Sequence, residues 1–493
     1  MVSRHHKSRA NKTARFLLPA AAALSTGLGA GPVMAQDCYR LVDITALGFI
    51  PNPNDITFGI NDQHEAVGAY MVGQKKHAFL WLPAAAYNLT KGFHDLHTLA
   101  DLDRDAESAA YEINDDGIAV GWTDDSGDQH AFVWQINLYD PAFPPLPTID
   151  LATFSVPDDG ALKLDVARVA WAINNADPPV VVGDASGLTN CACPPNAENV
   201  PTALGFKAVL DGSDALQELL PILSPPCDVE SYGRDIGSLA VGYSDKPQAG
   251  GCFTFPVPCA NRKDGVRFFP TSALTDLSAG GSESRGVNDS GSIVGWGFES
   301  GINPCQMSAL FWEDPAAAPF NLGTVFPIEP GDQTRAEAIT NPDGGIMLIV
   351  GLNETTQHAL RWQGSGVTWT VVDLNTKIVN QCFGTAEIVV RQSHDVSNDG
   401  WIVAWADFDP GPSIEAHAVI LVPDQNCQVC CFADLDCDGV VGVKDLLALL
   451  SAWGPCQPTP PTEVPKTVQE CYDKFYPQDM EALIACIEAV SDP

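Results

Sequence analysis

A short pattern recurs along most of this chain, and it limits the folds that the chain can adopt. Residues 113–134 read INDDGIAVGWTDDSGDQHAFVW, and residues 60–81 read INDQHEAVGAYMVGQKKHAFLW. Seven copies of one unit predict a fold assembled from repeated supersecondary elements. The other copies, two of them weaker, contain Ile173-Asn174, Asp235-Ile236, Val287-Asn288, Ile339-Thr340 and Val396-Ser397.

Each unit predicts four short β-strands. An acidic or amide residue followed by an aliphatic residue opens the unit, and a segment ending in Ile-Asn comes next. An Asn-Asp-x-Gly turn, which can supply the positive φ of a tight hairpin, leads to a third segment ending in Val-Gly. The fourth segment, His-Ala-Phe-x-Trp, has apolar residues at mixed parity and is predicted to be buried on both faces. The opening pairs are Asp43-Ile44, Asp95-Leu96, Asp150-Leu151, Glu218-Leu219, Asp276-Leu277, Asn321-Leu322 and Asp373-Leu374.

This organisation predicts an all-β fold for residues 38–423. Four strands in each of seven units indicate a seven-bladed β-propeller with four-stranded blades. A linear β-solenoid suits shorter and more uniform repeats, and tandem β-sandwiches suit larger units. Both remain alternatives at this point.

The motif Ile-Asn-x-x-Gly, Val-Gly and His-Ala-Phe-x-Trp resembles the HAF family of bacterial extracellular repeats over roughly residues 40–421. Two units depart from the pattern. Gly205-Phe206-Lys207-Ala208 replaces the tripeptide in the third, and the fourth lacks the Asn-Asp turn. The resemblance implies secretion and a repeat scaffold, and it implies no defined activity.

The N-terminus and the charge indicate an exported protein. Residues 1–35 read as a signal peptide, with a basic start, an apolar stretch too short to span a bilayer, and Val33-Met34-Ala35 before the cleavage point. The absence of an Arg-Arg pair favours the general secretory route over the twin-arginine route. The formal net charge of −36 argues against nucleic acid and anionic membranes as partners. We expect a secreted, extracellular or cell-surface protein without a membrane span.

The cysteine content fits the same compartment. The chain has 15 cysteines, an odd number, so at least one thiol is free or pairs with another molecule. Disulfides suit an exported protein, and the cluster Cys427-x-x-Cys430-Cys431 could alternatively bind zinc. No second cysteine or histidine pair follows that cluster at zinc-finger spacing.

A 12-residue calcium loop is predicted near the C-terminus. Such a loop needs carboxylates at positions one, three, five and twelve, a glycine at six and a backbone carbonyl at seven. An apolar helix face formed by Leu446, Leu449, Leu450 and Trp453 follows it. The predicted calcium ligands are Asp434, Asp436, Asp438, the carbonyl of Val440 and Asp445, with Gly439 at the turn.

The loop and its helix, residues 424–456, resemble the first half of a type I dockerin. The resemblance implies an EF-hand-like calcium site and docking onto a cohesin-like protein. Val443 and Lys444, the candidate partner-facing positions, differ from the Ser or Thr common in cohesin-binding members. A Pro-rich linker (457–465) and a Cys-containing helical segment (466–493) follow, without a second loop.

Two other features look like metal sites and are predicted to be structural. Asp101-x-Asp103-x-Asp105 has three loop carboxylates but no glycine, and Glu112, at position twelve, falls on a predicted strand. The repeated histidines should lie about one blade apart, too far for shared ligation, and should satisfy local hydrogen bonds. These are His77, His130, His358 and His417.

No catalytic signature stands out. Gly-x-Ser-x-Gly, His-Glu-x-x-His and a phosphate-binding loop are absent from the sequence. The sequence therefore favours a secreted non-catalytic binding or scaffold protein, with calcium as its cofactor and a glycan or a cohesin-like protein as its partner. An extracellular carbohydrate-active, polysaccharide-degrading enzyme is one alternative, and a purely structural surface protein is another.

Overall fold

A computed structural model of the chain describes the repeat region. The predicted signal peptide, the calcium loop with Val443 and Lys444, the Pro-rich linker and the C-terminal segment lie outside the described residues. These residues are 38–44, 59–125, 127–155, 162–190, 199–213, 215–219, 231–237, 239–245, 263–267, 275–276, 282–298, 306–314, 317–378, 387–409 and 415–424.

The described strands form seven four-stranded antiparallel sheets, and six of these sheets are built from four consecutive strands. The first three sheets contain β2 (Gly59–Ile60), β3 (Ala66–Val72), β4 (Lys75–Leu82) and β5 (Gly92–Asp95); β6 (Ser108–Ile113), β7 (Ile118–Thr123), β8 (His130–Gln135) and β9 (Thr148–Asp150); and β10 (Leu162–Ile173), β11 (Val180–Asn190), β12 (Asn199–Val209) and β13 (Leu216–Leu219). The next three contain β14 (Ser231–Ile236), β15 (Ala240–Asp245), β16 (Lys263–Arg267) and β17 (Thr275–Asp276); β18 (Ser282–Val287), β19 (Ile293–Phe298), β20 (Met307–Trp312) and β21 (Phe320–Asn321); and β22 (Thr334–Ile339), β23 (Met347–Asn353), β24 (His358–Ser365) and β25 (Thr368–Asp373).

The seventh sheet joins the two ends of the repeat region. It contains β26 (Glu387–Val396), β27 (Ile402–Asp409) and β28 (Glu415–Asp424), and its outermost strand is β1 (Cys38–Asp43). β1 runs antiparallel to β28, with Cys38 opposite Asp424 and Asp43 opposite Val419. The N-terminal strand thus completes the last sheet and covers an edge that would otherwise be unpaired.

The innermost strands form a closed ring. Each one contacts the innermost strand of the next sheet, and β26 contacts β2. Sheets arranged radially around a central channel define a β-propeller, and the predicted all-β propeller of four-stranded blades is confirmed at this level. A solenoid has free ends and does not close in this way. The seven innermost strands are β2, β6, β10, β14, β18, β22 and β26.

The structure corrects the predicted boundaries of the repeat. The acidic-aliphatic segment was expected to open each unit, but it forms the outer edge of the preceding blade. Asp95, for example, ends β5 and lies opposite Phe79 of β4 in the same sheet. The first such segment, which contains Asp43, has no preceding blade in the chain and pairs with the last one. Circular closure, which the linear sequence does not reveal, causes the one-strand offset.

The fourth predicted segment is buried as expected. Ala131 to Trp134 of β8 are all buried, as are all six residues of β20. Because each blade packs between two neighbours, its central strands have no solvent-facing side. Tryptophans at the end of the motif are among the buried residues: Trp81, Trp134, Trp312 and Trp362.

Helix is confined to single turns in the part of the chain that the structure describes. Asp95 caps the α-helix α1 (Leu96–Leu99), and its Oδ1 accepts the N–H of Thr98. The acidic or amide residue of the outer segment repeats this cap in other blades. The corresponding 3₁₀ turns are Leu151–Thr153, Leu322–Thr324 and Leu374–Lys377, and a further one is Ile136–Leu138.

Candidate functional site

The central channel contains a cavity of about 260 Å³. Its lining comes from the innermost strand of every sheet and from the turn that follows each strand. Two sets of side chains line it at different levels. One set lies in the turns, and the other lies four residues earlier, in six of the seven innermost strands as the structure describes them.

The asparagine of the Asn-Asp turn holds its own blade together and also contacts the next. The Oδ1 atom of Asn114 accepts the N–H of Asp116 at 3.2 Å and that of Ile118 at 2.9 Å. Its Nδ2 donates to the carbonyl of Asn174 in the next blade at 3.1 Å. Asn61 makes the same contacts with Gln63, Glu65 and the carbonyl of Asn114. The motif asparagine is therefore a structural residue.

The next residue of each turn forms what we call the turn ring. The N–H of Asp62 donates to Oδ1 of Asp115 at 2.9 Å, and the N–H of Asp115 donates to Oδ1 of Asn175 at 2.7 Å. The same bond crosses the closure of the propeller, where the N–H of Asn398 donates to Oδ1 of Asp62 at 2.8 Å. These bonds connect blade to blade around the channel. The turn ring consists of Asp62, Asp115, Asn175, Asp289, Asn341 and Asn398.

A β-bulge interrupts the innermost strand of six sheets at an equivalent position. In the second sheet the pairing shifts between Ala110 and Glu112, which leaves Tyr111 as the extra residue. A bulge re-aims a side chain, and here the bulged residues all line the cavity. We call this set the bulge ring, and its members are Tyr111, Trp171, Arg234, Arg285, Glu337 and His394.

The glycine of Val-Gly makes room for the bulge. A Cβ atom on Gly121 would lie 1.9 Å from the carbonyl oxygen of Ala109, and one on Gly295 would lie 2.0 Å from that of Glu283. Gly183 and Gly351 meet the opposite strand at the same distance of 2.0 Å. In these four blades, a β-carbon at the glycine of Val-Gly would therefore meet the backbone of the bulged strand, whereas Ala404 occupies the paired position in the last blade, opposite Ser393.

One side of the bulge ring is a stack of planar groups. The rings of Tyr111 and Trp171 lie 4.4 Å apart and 25° from parallel. The guanidinium carbon of Arg234 lies 4.3 Å from the Trp171 ring, at cation–π distance. Trp122 donates its indole N–H to the hydroxyl oxygen of Tyr111 at 3.0 Å, and Trp171 donates to Asp184. These contacts fix the orientation of the three stacked groups.

The other side of the ring is charged and charge-balanced. Oε1 of Glu283 lies 3.8 Å from Nε of Arg234 and 2.9 Å from Nε of Arg285. Arg285 also approaches Oε2 of Glu337 at 3.7 Å. Two guanidinium groups thus face two carboxylates. Arg335 of β22 forms a further ion pair with Glu354, the residue directly after β23.

His394 completes the described part of the ring as a neutral group. Burial lowers the pKa of this imidazole to about 4, and the charge of Arg285 acts in the same direction. At neutral pH the side chain therefore has one N–H donor and one acceptor nitrogen. The bulge ring offers a rigid aromatic stack, paired charges and a neutral histidine around one cavity.

Three carboxylic acids lie directly after a bulged residue. Burial raises the pKa of Asp235 to about 7 and that of Asp395 to about 6, and it raises the pKa of Glu112 well above its ordinary value. Perturbed acids in a cavity often indicate catalysis. Here Asp235 accepts the N–H of Ile236 at 2.7 Å and that of Val287 in the next blade at 2.7 Å. Asp395 accepts the N–H groups of Val396 and Ile60 in the same way.

The repeated histidines make the local hydrogen bonds predicted for them. Nδ1 of His358 lies 2.7 Å from Oδ2 of Asp373, and Nδ1 of His77 lies 3.1 Å from Oδ2 of Asp95. Each pair connects the third strand of a blade to its outermost strand. The contact between His417 and Asp43, at 2.8 Å, secures the N-terminal strand to the last blade.

The predicted calcium ligands cannot be placed, because Asp434, Asp436, Asp438, Val440 and Asp445 lie outside the described residues. Among residues that the structure does describe, no three His, Cys, Asp or Glu side chains are arranged to hold a metal ion. Nor does any helix there combine the length and apolarity needed to cross a membrane. Glu112 lies on β6, as predicted.

Sequence reasoning missed the bulge ring. Its residues stand two positions ahead of the aliphatic residue of the Ile-Asn pair, as Tyr111 precedes Ile113 and Arg285 precedes Val287. Motif reading follows what repeats, whereas the residue at this position varies among the units, with only arginine occurring twice among the described ones. Aligning the units and searching for the most divergent position beside an invariant one would have found it.

Comparisons with known proteins add little to this description. No family model and no curated protein matches the chain. The acylaminoacyl peptidase of Pyrococcus horikoshii matches with a TM-score of 0.43 and 9% identity, over 77% of this chain and 52% of the peptidase. The chain thus spans about half of that protein. The β-propeller domain of the Trilobed protease from Pyrococcus furiosus matches with a TM-score of 0.38 and 8% identity, over 76% of this chain and 95% of the domain.

The polysaccharide lyase Uly1 also matches, with a TM-score of 0.42 and 10% identity, over 79% of this chain and 98% of the lyase. At such identities and TM-scores, none of these proteins supports an argument about activity.

Proposed function

We propose that this chain is a secreted, non-catalytic binding protein whose propeller holds a ligand in the central channel at the bulge ring. The observation that carries the proposal is the set of bulges, which turn six side chains of five residue types into one cavity. A purely structural propeller would have no need of such varied side chains at its bulges. This contrast favours binding over the purely structural alternative.

The raised pKa values of Asp235 and Asp395 are the feature that favours the alternative of a carbohydrate-active enzyme. Both carboxylates, however, accept one backbone N–H from their own blade and one from the next blade. Each oxygen is thus already bonded to the backbone, which favours a structural role over that of a general acid. The non-catalytic proposal is therefore preferred.

A ligand-observed NMR screen tests the proposal directly. The full secreted chain is mixed with extracellular small molecules and soluble glycans from the medium in which it acts. A double variant, Arg234→Met/Arg285→Met, serves as the comparison after its fold is checked by circular dichroism. We expect a component that binds the wild type, is recovered unchanged and does not bind the variant. Chemical conversion of that component would favour the alternative of an enzyme. Equal binding to the wild type and the variant would show that the ligand does not bind in the cavity.

We further propose that the C-terminal loop binds calcium and that its dockerin-like helix attaches the propeller to an extracellular or cell-surface partner. The carboxylates of Asp434, Asp436, Asp438 and Asp445, with the carbonyl of Val440, are donors that suit a hard cation. Calcium titration of the full chain, beside Asp434→Ala/Asp445→Ala, should detect a site that the variant lacks. Capture of a cohesin-like protein that requires calcium would support docking, and calcium binding without capture would leave the module a structural role.

A further inference from the structure

The chemistry of the bulge ring restricts the class of ligand that its cavity can hold. The two arginines do not form a free cationic pocket, because Glu283 lies 2.9 Å from Arg285 and 3.8 Å from Arg234. Glu337 lies 3.7 Å from Arg285 on the other side. The formal charge of these four groups is therefore zero. A charged ligand would have to break an ion pair or bring an uncompensated charge into a mostly buried site, and both are costly.

Uncharged hydroxyl groups match the site better. A hydroxyl both donates and accepts, so it can bridge a guanidinium and a neighbouring carboxylate without separating them. Around the cavity, the donors Arg234 and Arg285 are followed by the acceptor Glu337. Glu283, which is not among the lining residues, pairs with both arginines. A ligand with hydroxyls on adjacent carbons has the spacing to contact consecutive members of this row.

The remaining bulge residues fit the same class. Neutral His394 adds one donor and one acceptor without adding charge. The contact with Trp171, at 4.3 Å, holds Arg234 in place before any ligand arrives, which reduces the ordering cost of binding. Asp395 and Asp235, whose pKa values are about 6 and about 7, add negative charge above those pH values and further disfavour anions.

The size of the cavity further restricts the class of ligand. The cavity of about 260 Å³ is slightly smaller than the roughly 300–1,000 Å³ of pockets for drug-sized molecules. It suits one or two small rings and excludes a folded polypeptide segment.

Resting on the function proposed above, we propose that the bulge ring binds an uncharged sugar residue through its ring hydroxyls. The sugar is either a free monosaccharide or the terminal residue of a glycan, since both present the same hydroxyls. Glu337 accepts from these hydroxyls, Arg234 and Arg285 donate to them, and His394 does either.

Isothermal titration of the full chain tests this ligand class. The neutral probes are glucose, galactose, mannose and xylose, each as the monosaccharide and as a disaccharide. Galacturonate and inorganic phosphate are the anionic probes. We expect saturable binding of at least one neutral probe. Tighter binding of the disaccharide than of its monosaccharide indicates a glycan terminus, and equal binding indicates the free sugar.

Glu337→Gln is the decisive variant, because it should change affinity in opposite directions for neutral sugars and for anions. Loss of the carboxylate should weaken a neutral sugar by about ten- to a hundredfold, since a hydrogen bond to a charged acceptor is lost. It should strengthen an anion by removing a like charge. Glu313→Gln, the same change at an exposed residue, should leave binding unchanged. Thermal unfolding confirms that both variants fold, and Arg234→Lys replaces Glu337→Gln if the latter does not.

Three results would overturn the sugar proposal. If galacturonate or phosphate binds, and binds more tightly to Glu337→Gln, then the cavity binds an anion and not an uncharged sugar. Sugar binding that is the same in Glu337→Gln and the wild type would place the sugar elsewhere. Absence of binding by every probe would reject the sugar, while the NMR screen decides the broader function separately.

Discussion

The turn ring and the bulge ring line the same channel four residues apart, yet they differ in the variety of their side chains. Among the described residues, the turn ring contains aspartate and asparagine. Five of its six members donate their backbone N–H to the member in the next blade: Asp62, Asp115, Asp289, Asn341 and Asn398. The bulge ring contains two aromatic residues, two arginines, a glutamate and a histidine among the described blades. The positions that connect the blades have nearly the same residue in each unit. The bulge position has different residues in different units, because the backbone there does not restrict the type of side chain.

The backbone geometry at each position explains why the two rings can differ. The bulge turns its side chain out of the sheet and into the channel, where residues of very different size and charge fit, such as Tyr111, Trp171 and Arg285. The turn residue must accept a bond from one blade and donate to another, which restricts it to a short amide or acid. Backbone geometry therefore decides which channel position can acquire a ligand specificity.

The largest effect is expected at the glycine that faces the bulge. Gly121→Ala places a Cβ atom 1.9 Å from the carbonyl of Ala109, so the strand pair must move apart. We expect a loss of about 3 kcal/mol in the free energy of unfolding, measured by denaturant titration. Ala404 pairs with Ser393 at the equivalent place in the last blade, and Ala404→Gly should cost only ~1 kcal/mol. Equal losses in the two variants would show that the close approach of the Ala109 carbonyl does not set the requirement for glycine at position 121.

The second-largest loss of stability is expected at Asn114, the asparagine of the Asn-Asp turn. Asn114→Ala removes two hydrogen bonds within its turn and one to Asn174 in the next blade. Because Asn114 is buried, we expect a loss of about 2–3 kcal/mol in unfolding free energy. Ligand affinity of the folded fraction should stay within about twofold of the wild type. Asp116→Ala, an exposed position in the same turn, should be nearly neutral, and an equal loss there would argue against the blade-to-blade bond as the cause.

The buried acids predict a pH dependence of stability. The pKa of Asp235 is about 7 in the folded protein and near its ordinary value of 3.8 when unfolded. The folded state therefore binds the proton more tightly, so stability from this group is greatest below about pH 4 and falls as the pH rises to about 7. We expect a fall of about 2 kcal/mol after allowing for water in the channel.

Asp235→Asn should flatten the pH profile between about pH 4 and 7, because the amide does not titrate. Urea unfolding of both proteins across this range measures the slope. An unchanged slope in the variant would contradict the assignment to Asp235. Asp95 should show the opposite pH dependence of stability. His77 and Thr98 donate to its carboxylate and lower its pKa to about 2 despite its burial, so its contribution to stability is lost as the pH falls from about 4 to about 2.

The smallest effect is expected at the repeated histidines. His130→Ala and His417→Ala each remove one contact to an aspartate and should cost about 1 kcal/mol. Of these two histidines, only His417 contacts the N-terminal strand, through Asp43. Hydrogen exchange should therefore speed up in residues 38–43 of His417→Ala and not of His130→Ala. Equal exchange in the two variants would mean that this contact does not secure the closure.

The sequence predicts the propeller well because its signals are local and repeated. Asn114 and Gly117 identify the tight turn, and Gly117 has the required positive φ of 71°. The His-Asp pairs also follow from repeated residues. The one-strand offset at Asp43 does not, because closure joins residues more than 370 positions apart. Nor does the bulge ring, since a bulge arises from the register between two strands and leaves no residue of its own in the motif.

The central claim is that the bulge ring, and not the turn ring, confers binding. Glu337→Gln and Asp289→Asn test it most directly, because both change a carboxylate into an amide in the same cavity, in adjacent sheets. Asparagine already occupies the turn ring at Asn175, Asn341 and Asn398, so the second change should be tolerated. For a neutral ligand, we predict that titration finds affinity reduced by about tenfold or more in Glu337→Gln and within about twofold of the wild type in Asp289→Asn. Loss of affinity in Asp289→Asn with normal affinity in Glu337→Gln would contradict the account.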